Sequence, residues 1–325
     1  MAQRLSFMPA AINPEKILGE LNQLWADLDS QASAAGGVLR ACSMTLAVAA
    51  KDEDDAAQAR RTIGVIMHDQ PCRALVVKMQ DGAELAGRVF AECWMPFGGQ
   101  QQICSEGVEI TAVPDHFAEV ARVLTPLRAP DLPLVLWCRG PLAFSLRAFD
   151  YLFPLADKVI LDSTAVSSAA SALAFLRLLR SRGHLVADLA WTQLTPCRQT
   201  LAHLFQEQGL KPGDVKSARV AYSGSAPSTA ALYFASWIRL ALPAVPVRLE
   251  AIKGDAGLRG VTLFVDPKSN QKGDVALTLS GPSQLEVRGC GHGYRSSMPA
   301  SDEAALMREE LKILGRDSVF ERALG

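Results

Sequence analysis

Three polar residues stand directly beyond, or inside the end of, apolar strand-like runs. Arg139 follows residues 132–138, Asp162 follows residues 159–161, and Asp188 lies within residues 185–189. In a parallel sheet such positions gather at the carboxyl edge, where α/β folds place ligands and partners. The plain alternative is that they hydrogen-bond one another and cap that edge. Trp137, Trp191, Thr192 and Arg198 flank them, and all seven are expected to form one cluster, at an interface or at a domain junction. Trp and Arg suit either role because each joins a large contact area to a polar handle. Arg139 is expected to be a partner contact whose loss leaves the fold intact. Asp188 and Trp191 are expected to be structural.

Other chemistry-bearing groups are scattered. Cys290 and His292 sit in the string Gly289-Cys290-Gly291-His292-Gly293, but no second ligand pair accompanies them. Its amides suit an anion, yet no helix follows directly, so a loop joining the last strand to the terminal helix is the plain reading. Cys104, Cys138 and Cys197 are nucleophile candidates if one of five histidines activates them; buried structural thiols are the alternative. Arg177, Arg180 and Arg182 read as a helix C-terminus complementing its dipole, or as a binding patch. There is no GxSxG, GxxxxGK[ST], HExxH, zinc quartet or strand-borne GxGxxG. Hence no catalytic residue, cofactor site or metal site is expected.

The elements that must position these groups follow from periodicity. Residues 14–28 repeat apolar side chains at helical spacing, and residues 40–48 alternate with period two. A helix opened by acidic residues 52–55 and a strand at 74–79 follow. Asp81-Gly82 then turns the chain back into a strand at 85–94, with another at 102–113. Asp115 caps a helix that ends ahead of Pro126. Strands at 132–138, 159–161 and 185–189 alternate with helices at 142–152 and 167–180, which implies parallel βαβ units. Beyond lie a helix at 196–208, a strand at 219–222 and a helix at 228–240. Four short strands between 247 and 287 form an antiparallel meander, closed by a terminal helix at 302–314. The fold class is α/β: a mostly parallel sheet with flanking helices in residues 1–190, then an α+β domain in residues 191–325.

The 325 residues leave room for two domains at roughly 150 each. With 49% apolar residues the chain can pack a core, which excludes disorder. Thirty-three basic against 34 acidic residues give no pull toward nucleic acid or an anionic membrane, and a 6% aromatic share offers no base-stacking surface. No run of about 20 apolar residues is present. Residues 5–12 lack a clear cleavage site, so a signal peptide is not expected. Seven scattered cysteines without a CxxC pair read as reduced thiols of a cytoplasmic protein, with no internal disulfide.

One block is more specific than these patterns. Asp188-Leu189-Ala190-Trp191-Thr192-Gln193-Leu194-Thr195-Pro196-Cys197-Arg198 resembles a hallmark of the glucose-6-phosphate dehydrogenase assembly protein OpcA family, whose pattern runs roughly DLAWTRLTPWR. Four further segments are similar to family segments in the same order: residues 40–46, 71–74, 135–140 and 159–163. Cys138 and Cys197 stand where the family often has Trp, Cys72 where it has Ser, and Gln193 where it has Arg. The resemblance implies a non-catalytic assembly factor and allosteric effector. It would bind glucose-6-phosphate dehydrogenase and promote its active oligomer in the oxidative pentose phosphate pathway. The rival class is a small-molecule-binding α/β protein or enzyme using Arg139, Asp162 and Asp188. The family's cyanobacterial redox control uses cysteines near the C-terminus; only Cys290 lies there, so that switch does not carry over.

Overall fold

The computed structural model describes residues 13–32, 38–81, 86–95, 102–145, 147–269, 273–281, 284–289, 292–298 and 301–325. Cys290, Gly82 and the turn residues 270–272 lie outside them, as does the side chain of His292. The chain is α/β and divides into two compact units, neither continuous in sequence. The first comprises residues 1–162, 179–187 and 307–315; the second comprises 163–178, 188–306 and 316–325.

The first unit is built on an eight-stranded sheet. In chain order its elements begin with α1 (Pro14–Ala32), β1 (Val38–Arg40), β2 (Met44–Ala50), α2 (Glu53–Met67) and β3 (Cys72–Met79). There follow β4 (Ala86–Trp94), β5 (Gln102–Ala112), α3 (Phe117–Leu127), β6 (Leu134–Cys138) and β7 (Lys158–Leu161). After α4 (Ala169–Ser181), β8 (Val186–Asp188) completes the sheet. The strand order is β1-β5-β3-β2-β6-β7-β8, with β4 paired to β5. β2 runs parallel to both β3 and β6. Every residue of β2 and β3 is buried. The period-two reading of residues 40–48 therefore fails: a central parallel strand is covered on both faces and has no solvent side. Asp52 caps α2 through Asp55 N–H, and the acidic first turn suits the helix dipole.

Four further expectations are corrected in this unit. β4 does not return onto β3, whose two edges are taken by β2 and β5; it pairs antiparallel with β5. In that pairing Cys93 lies directly opposite Cys104, with Cα atoms 4.1 Å apart, and the two sulfurs are bonded. The expectation of reduced thiols throughout misses this pair because residue spacing carries no strand register. α3 runs through Pro126 to Leu127 and has no side-chain cap from Asp115. Buried Leu124 and Leu127 hold its last turn, and Thr125 donates its hydroxyl to Ala121 O. Finally, residues 142–152 do not form an α-helix. Three 3-10 turns replace it at Leu142–Phe144, Arg147–Tyr151 and Phe153–Leu155. Phe149 packs on Phe117 and Phe153, so tertiary aromatic contacts outweigh helical propensity there.

The second unit follows β8 with α5 (Leu189–Thr192), α6 (Thr195–Glu207), β9 (Val215–Ser223), α7 (Thr229–Ala241) and β10 (Val247–Ala251). Its remaining elements are β11 (Gly257–Val265), β12 (Val275–Gly281), β13 (Gln284–Gly289), β14 (His292–Ser297), α8 (Glu303–Leu311) and α9 (Ser318–Leu324). The last turns of α8 belong to the first unit. The sheet order is β10-β9-β11-β12-β13-β14. β10 is parallel to β9, and the other pairs are antiparallel. The expected meander is corrected at its first strand: β9 lies between β10 and β11, so the antiparallel run is β9-β11-β12-β13-β14 and β10 stands parallel to β9 at the edge. α7 carries the chain across a parallel βαβ step, and β14 occupies part of the segment read as a plain loop. Among the described residues no helix is long and apolar enough to cross a membrane.

Candidate functional site

Within the first unit, Trp137, the penultimate residue of β6, is fully buried and pairs with Val48 of β2. Arg139 N donates to Ala49 O at 3.0 Å. The Arg139 guanidinium lies 4.7 Å from the Trp137 ring centroid, and its Nε donates to Asp55 Oδ1 at 2.8 Å. Asp55 also accepts Lys51 N–H at 2.9 Å. Arg139 is therefore a buried clasp between β6 and the first turn of α2, with 8% exposure. Its reading as a partner contact did not foresee this burial: a residue one step past a buried strand still lies inside the layer of helices. Asp162 follows β7, the parallel neighbour of β6, and is half-buried.

The turn from β2 into α2 is where a doubly wound fold receives a dinucleotide. Here it carries Asp52, Glu53, Asp54 and Asp55 in place of glycines. Four carboxylates at a helix start repel a pyrophosphate, so these residues do not fit a nicotinamide cofactor.

β5 carries a group that the sequence reading passed over. Glu106 and Glu109 are both buried. Glu106 accepts from Arg40 and from Arg73, each at 2.6 Å, and from Trp25 Nε1–H. Glu109 accepts from Arg60 and from Arg88, and Lys78 lies 3.6 Å away. Burial pushes the Glu106 carboxyl up, but the Trp25 hydrogen bond and the charges of Arg73 and Arg40 outweigh it and hold it below the usual range. Two glutamates three residues apart inside an otherwise strand-like run were the available signal.

In the second unit the hallmark block builds a tight knot. Asp188 is fully buried and accepts three hydrogen bonds: Ser163 N at 3.0 Å, Ala190 N at 3.1 Å and Tyr233 OH at 2.8 Å. No cation is among these donors. Burial pushes its carboxyl up to about 6, with the donors only partly offsetting it. Burial, and then the Asp188 charge, raise Tyr233 well above its ordinary value. Thr192 Oγ1 donates to Asp188 O at 3.3 Å.

Trp191 is sandwiched. The Arg198 guanidinium lies 3.4 Å from its ring centroid, Tyr233 meets it edge-on at 5.6 Å, and Phe320 packs at 5.8 Å. Its Nε1–H donates to Asp317 Oδ2 at 3.1 Å, while Asp317 Oδ1 caps α9 through Val319 and Phe320. Asp188 and Trp191, expected to be structural, are both buried. Tyr233, Asp317 and Phe320 were missed. Asp317 had a readable signal, a capping residue two positions after Gly315.

The thiols offer no nucleophile among the described residues. Cys104 is bonded to Cys93. Burial raises the Cys138 thiol strongly and Cys197 to about 11, the nearby Arg198 charge notwithstanding; a thiol held protonated is unreactive. The three arginines at the C-terminal end of α4 are also engaged: Arg177 Nε donates to Leu324 O, Arg182 pairs with Asp150, and Arg180 is not free.

Known proteins similar to the chain agree with its hallmark block. Residues 64–178 match the family described as glucose-6-phosphate dehydrogenase subunit N-terminal domain. Residues 184–324 match the corresponding C-terminal domain. An OxPP cycle protein OpcA of Synechocystis is 25% identical over 187 residues, covering 56% of this chain and 39% of that protein. Its namesake from Nostoc punctiforme is 22% identical over 299 residues, covering 78% of this chain and 64% of that protein. The chain thus spans less than two thirds of either relative. Among solved structures, the 3-ketoreductase KijD10 from Actinomadura kijaniata, complexed with NADP and TDP-benzene, aligns at 10% identity. Its TM-score is 0.47, and the alignment covers 89% of this chain and 94% of that one. A Gfo/Idh/MocA family oxidoreductase from Vibrio cholerae aligns at 10% identity and a TM-score of 0.41, covering 87% of this chain and 94% of that one. With both family domains matched in order along most of its length, the chain belongs to the OpcA family of glucose-6-phosphate dehydrogenase assembly proteins.

Proposed function

We propose that this protein is a non-catalytic assembly factor and allosteric activator. It binds glucose-6-phosphate dehydrogenase in the cytoplasm and favours the active oligomer of that enzyme, raising flux through the oxidative pentose phosphate pathway. The observation that carries this reading is the match of both family domains. The side chains support it. Arg139 and Asp188 are consumed by internal hydrogen bonds, the thiols among the described residues are held protonated or bonded, and the turn after β2 is acidic. Of the seven residues singled out in the sequence, Trp137, Arg139, Asp188, Trp191 and Thr192 are buried. Their part in this reading is to hold the shape that the enzyme meets, whereas half-buried Asp162 and Arg198 border it.

An effector of this kind acts by binding one oligomer more tightly than another. A tenfold shift requires about 1.4 kcal/mol of differential affinity. The test adds the purified chain to the host's glucose-6-phosphate dehydrogenase and follows NADPH formation. The expected result is a higher rate with the mixture and none with the chain alone. Turnover of glucose 6-phosphate by the isolated chain, or an unchanged dehydrogenase that never co-purifies with it, contradicts the proposal.

A further inference from the structure

The second unit holds a cleft of about 940 Å³, lined entirely by its own residues. That volume lies within the range of small-molecule sites. The approach to α4, the loop from β9 into α7 and the start of β11 converge on it, and the start of α6 and the end of β12 complete its lining. Because β9 and β10 are parallel with α7 between them, the β9–α7 loop lies at the carboxyl end of a parallel strand, where such units bind ligands. Gly224, at φ +121°, lets the chain leave β9 in a conformation closed to other residues.

Three independent features make the cleft receptive to an anion. The first turns of α4 and α7, helices of 13 residues each, both line it through Ala169, Ala170, Thr229 and Ala230. Ser168 Oγ and Ser228 Oγ each accept the third N–H of their helix, at 3.2 and 3.3 Å. The N–H groups ahead of those have no partner within the helix. Second, Arg259 is the extra residue of a β-bulge, lying between the Leu258↔Tyr222 and Gly260↔Ala221 pairs. A bulge takes a residue out of the ladder and re-aims its side chain. Arg259 lines the cleft half-buried, without an ion-pair or hydrogen-bond partner among the described residues. Third, Ser163 also lines the cleft and is fully buried. Its hydroxyl lies near enough to Asp188 to favour that carboxylate, yet forms no well-aligned hydrogen bond. Asp255, the one carboxylate in the lining among the described residues, is exposed.

We propose that this cleft binds the phosphate monoester of a small sugar or polyol. The phosphate lodges between Arg259 and the first turns of α4 and α7, while the ligand's hydroxyl groups meet the serine-rich wall that includes Ser167 and Ser225. A dianion facing two helix starts and one uncommitted guanidinium is the charge state this arrangement favours. Alanine and glycine around the helix starts let the phosphate approach the backbone. The site does not depend on the partner reading.

Calorimetric titration of the full chain tests it, with glucose 6-phosphate, inorganic phosphate and glucose as probes. The sugar phosphate is expected to bind, inorganic phosphate to bind more weakly, and glucose not to bind. Arg259→Gln is expected to weaken the sugar phosphate about tenfold or more. Ala230→Glu is expected to abolish binding while keeping the melting temperature, since an acidic residue in a first helical turn suits the dipole. The proposal is overturned by glucose binding as well as its phosphate, by inorganic phosphate binding as tightly as the ester, or by no phosphate compound binding at all. It is equally overturned by binding that survives both folded variants.

Discussion

Glu106 in the first unit and Asp188 in the second are both buried carboxylates, yet their surroundings drive them in opposite directions. Glu106 sits among Arg40, Arg73 and the Trp25 indole, and is held ionised. Asp188 meets two backbone amides and a phenol, with no cation, and is pushed up to about 6. Burial penalises charge in both places, so the partners decide the sign. One region is an ion network that requires its charge. The other is a hydrogen-bond hub in which burial disfavours the charge.

The sharpest way to break that contrast is to neutralise each group. Glu106→Gln strands two arginines, one of them buried, and is expected to cost the upper part of roughly 3–5 kcal/mol in urea unfolding. A loss below about 1 kcal/mol would show that the network is dispensable. Trp191→Ala empties the space between Arg198, Tyr233 and Phe320 and is expected to cost roughly 3–5 kcal/mol. Arg139→Ala removes the clasp on Asp55 and its stacking on Trp137. Its expected cost is about 2 kcal/mol, and an unchanged melting temperature would instead favour Arg139 as a partner contact.

The pH response separates the two carboxylates next. A raised folded value means that Asp188 holds its proton more tightly in the native state. Its contribution is full below the unfolded value near 4 and is lost as pH rises through about 6, a span of roughly 3 kcal/mol. Glu106, depressed in the fold, contributes above its unfolded value and loses that as pH falls. Asp188→Asn keeps an acceptor for the amides and is expected to change stability by less than about 1 kcal/mol below about pH 4, where Asp188 carries its proton. It should also flatten the decline between about pH 4 and pH 6. Persistence of that decline in the Asn variant would assign it to another group.

Much of this frame was legible in the sequence. Apolar runs announced β6, β7 and β8, and the hallmark block announced the knot around Trp191. Asp52 and Ser228 were readable as caps. What stayed hidden depends on pairing across distance. The Cys93–Cys104 bond needs the register of β4 on β5, and the Glu106 network needs Arg40, Arg73 and Trp25 brought together from three other elements. Tyr233 reaches Asp188 across 45 residues. Local periodicity found strands and helices, but it could not say that β2 would be covered on both faces or that Arg139 would turn inward.

The central claim, that this chain shifts the oligomer of a dehydrogenase without chemistry of its own, is tested most directly by sedimentation velocity. The host's glucose-6-phosphate dehydrogenase is run alone and with the full chain, at concentrations where the enzyme alone populates more than one oligomer. The expected result is a boundary that moves to the larger, active species and carries the chain with it. Separate boundaries for the two proteins, with the dehydrogenase distribution unchanged, would contradict the claim.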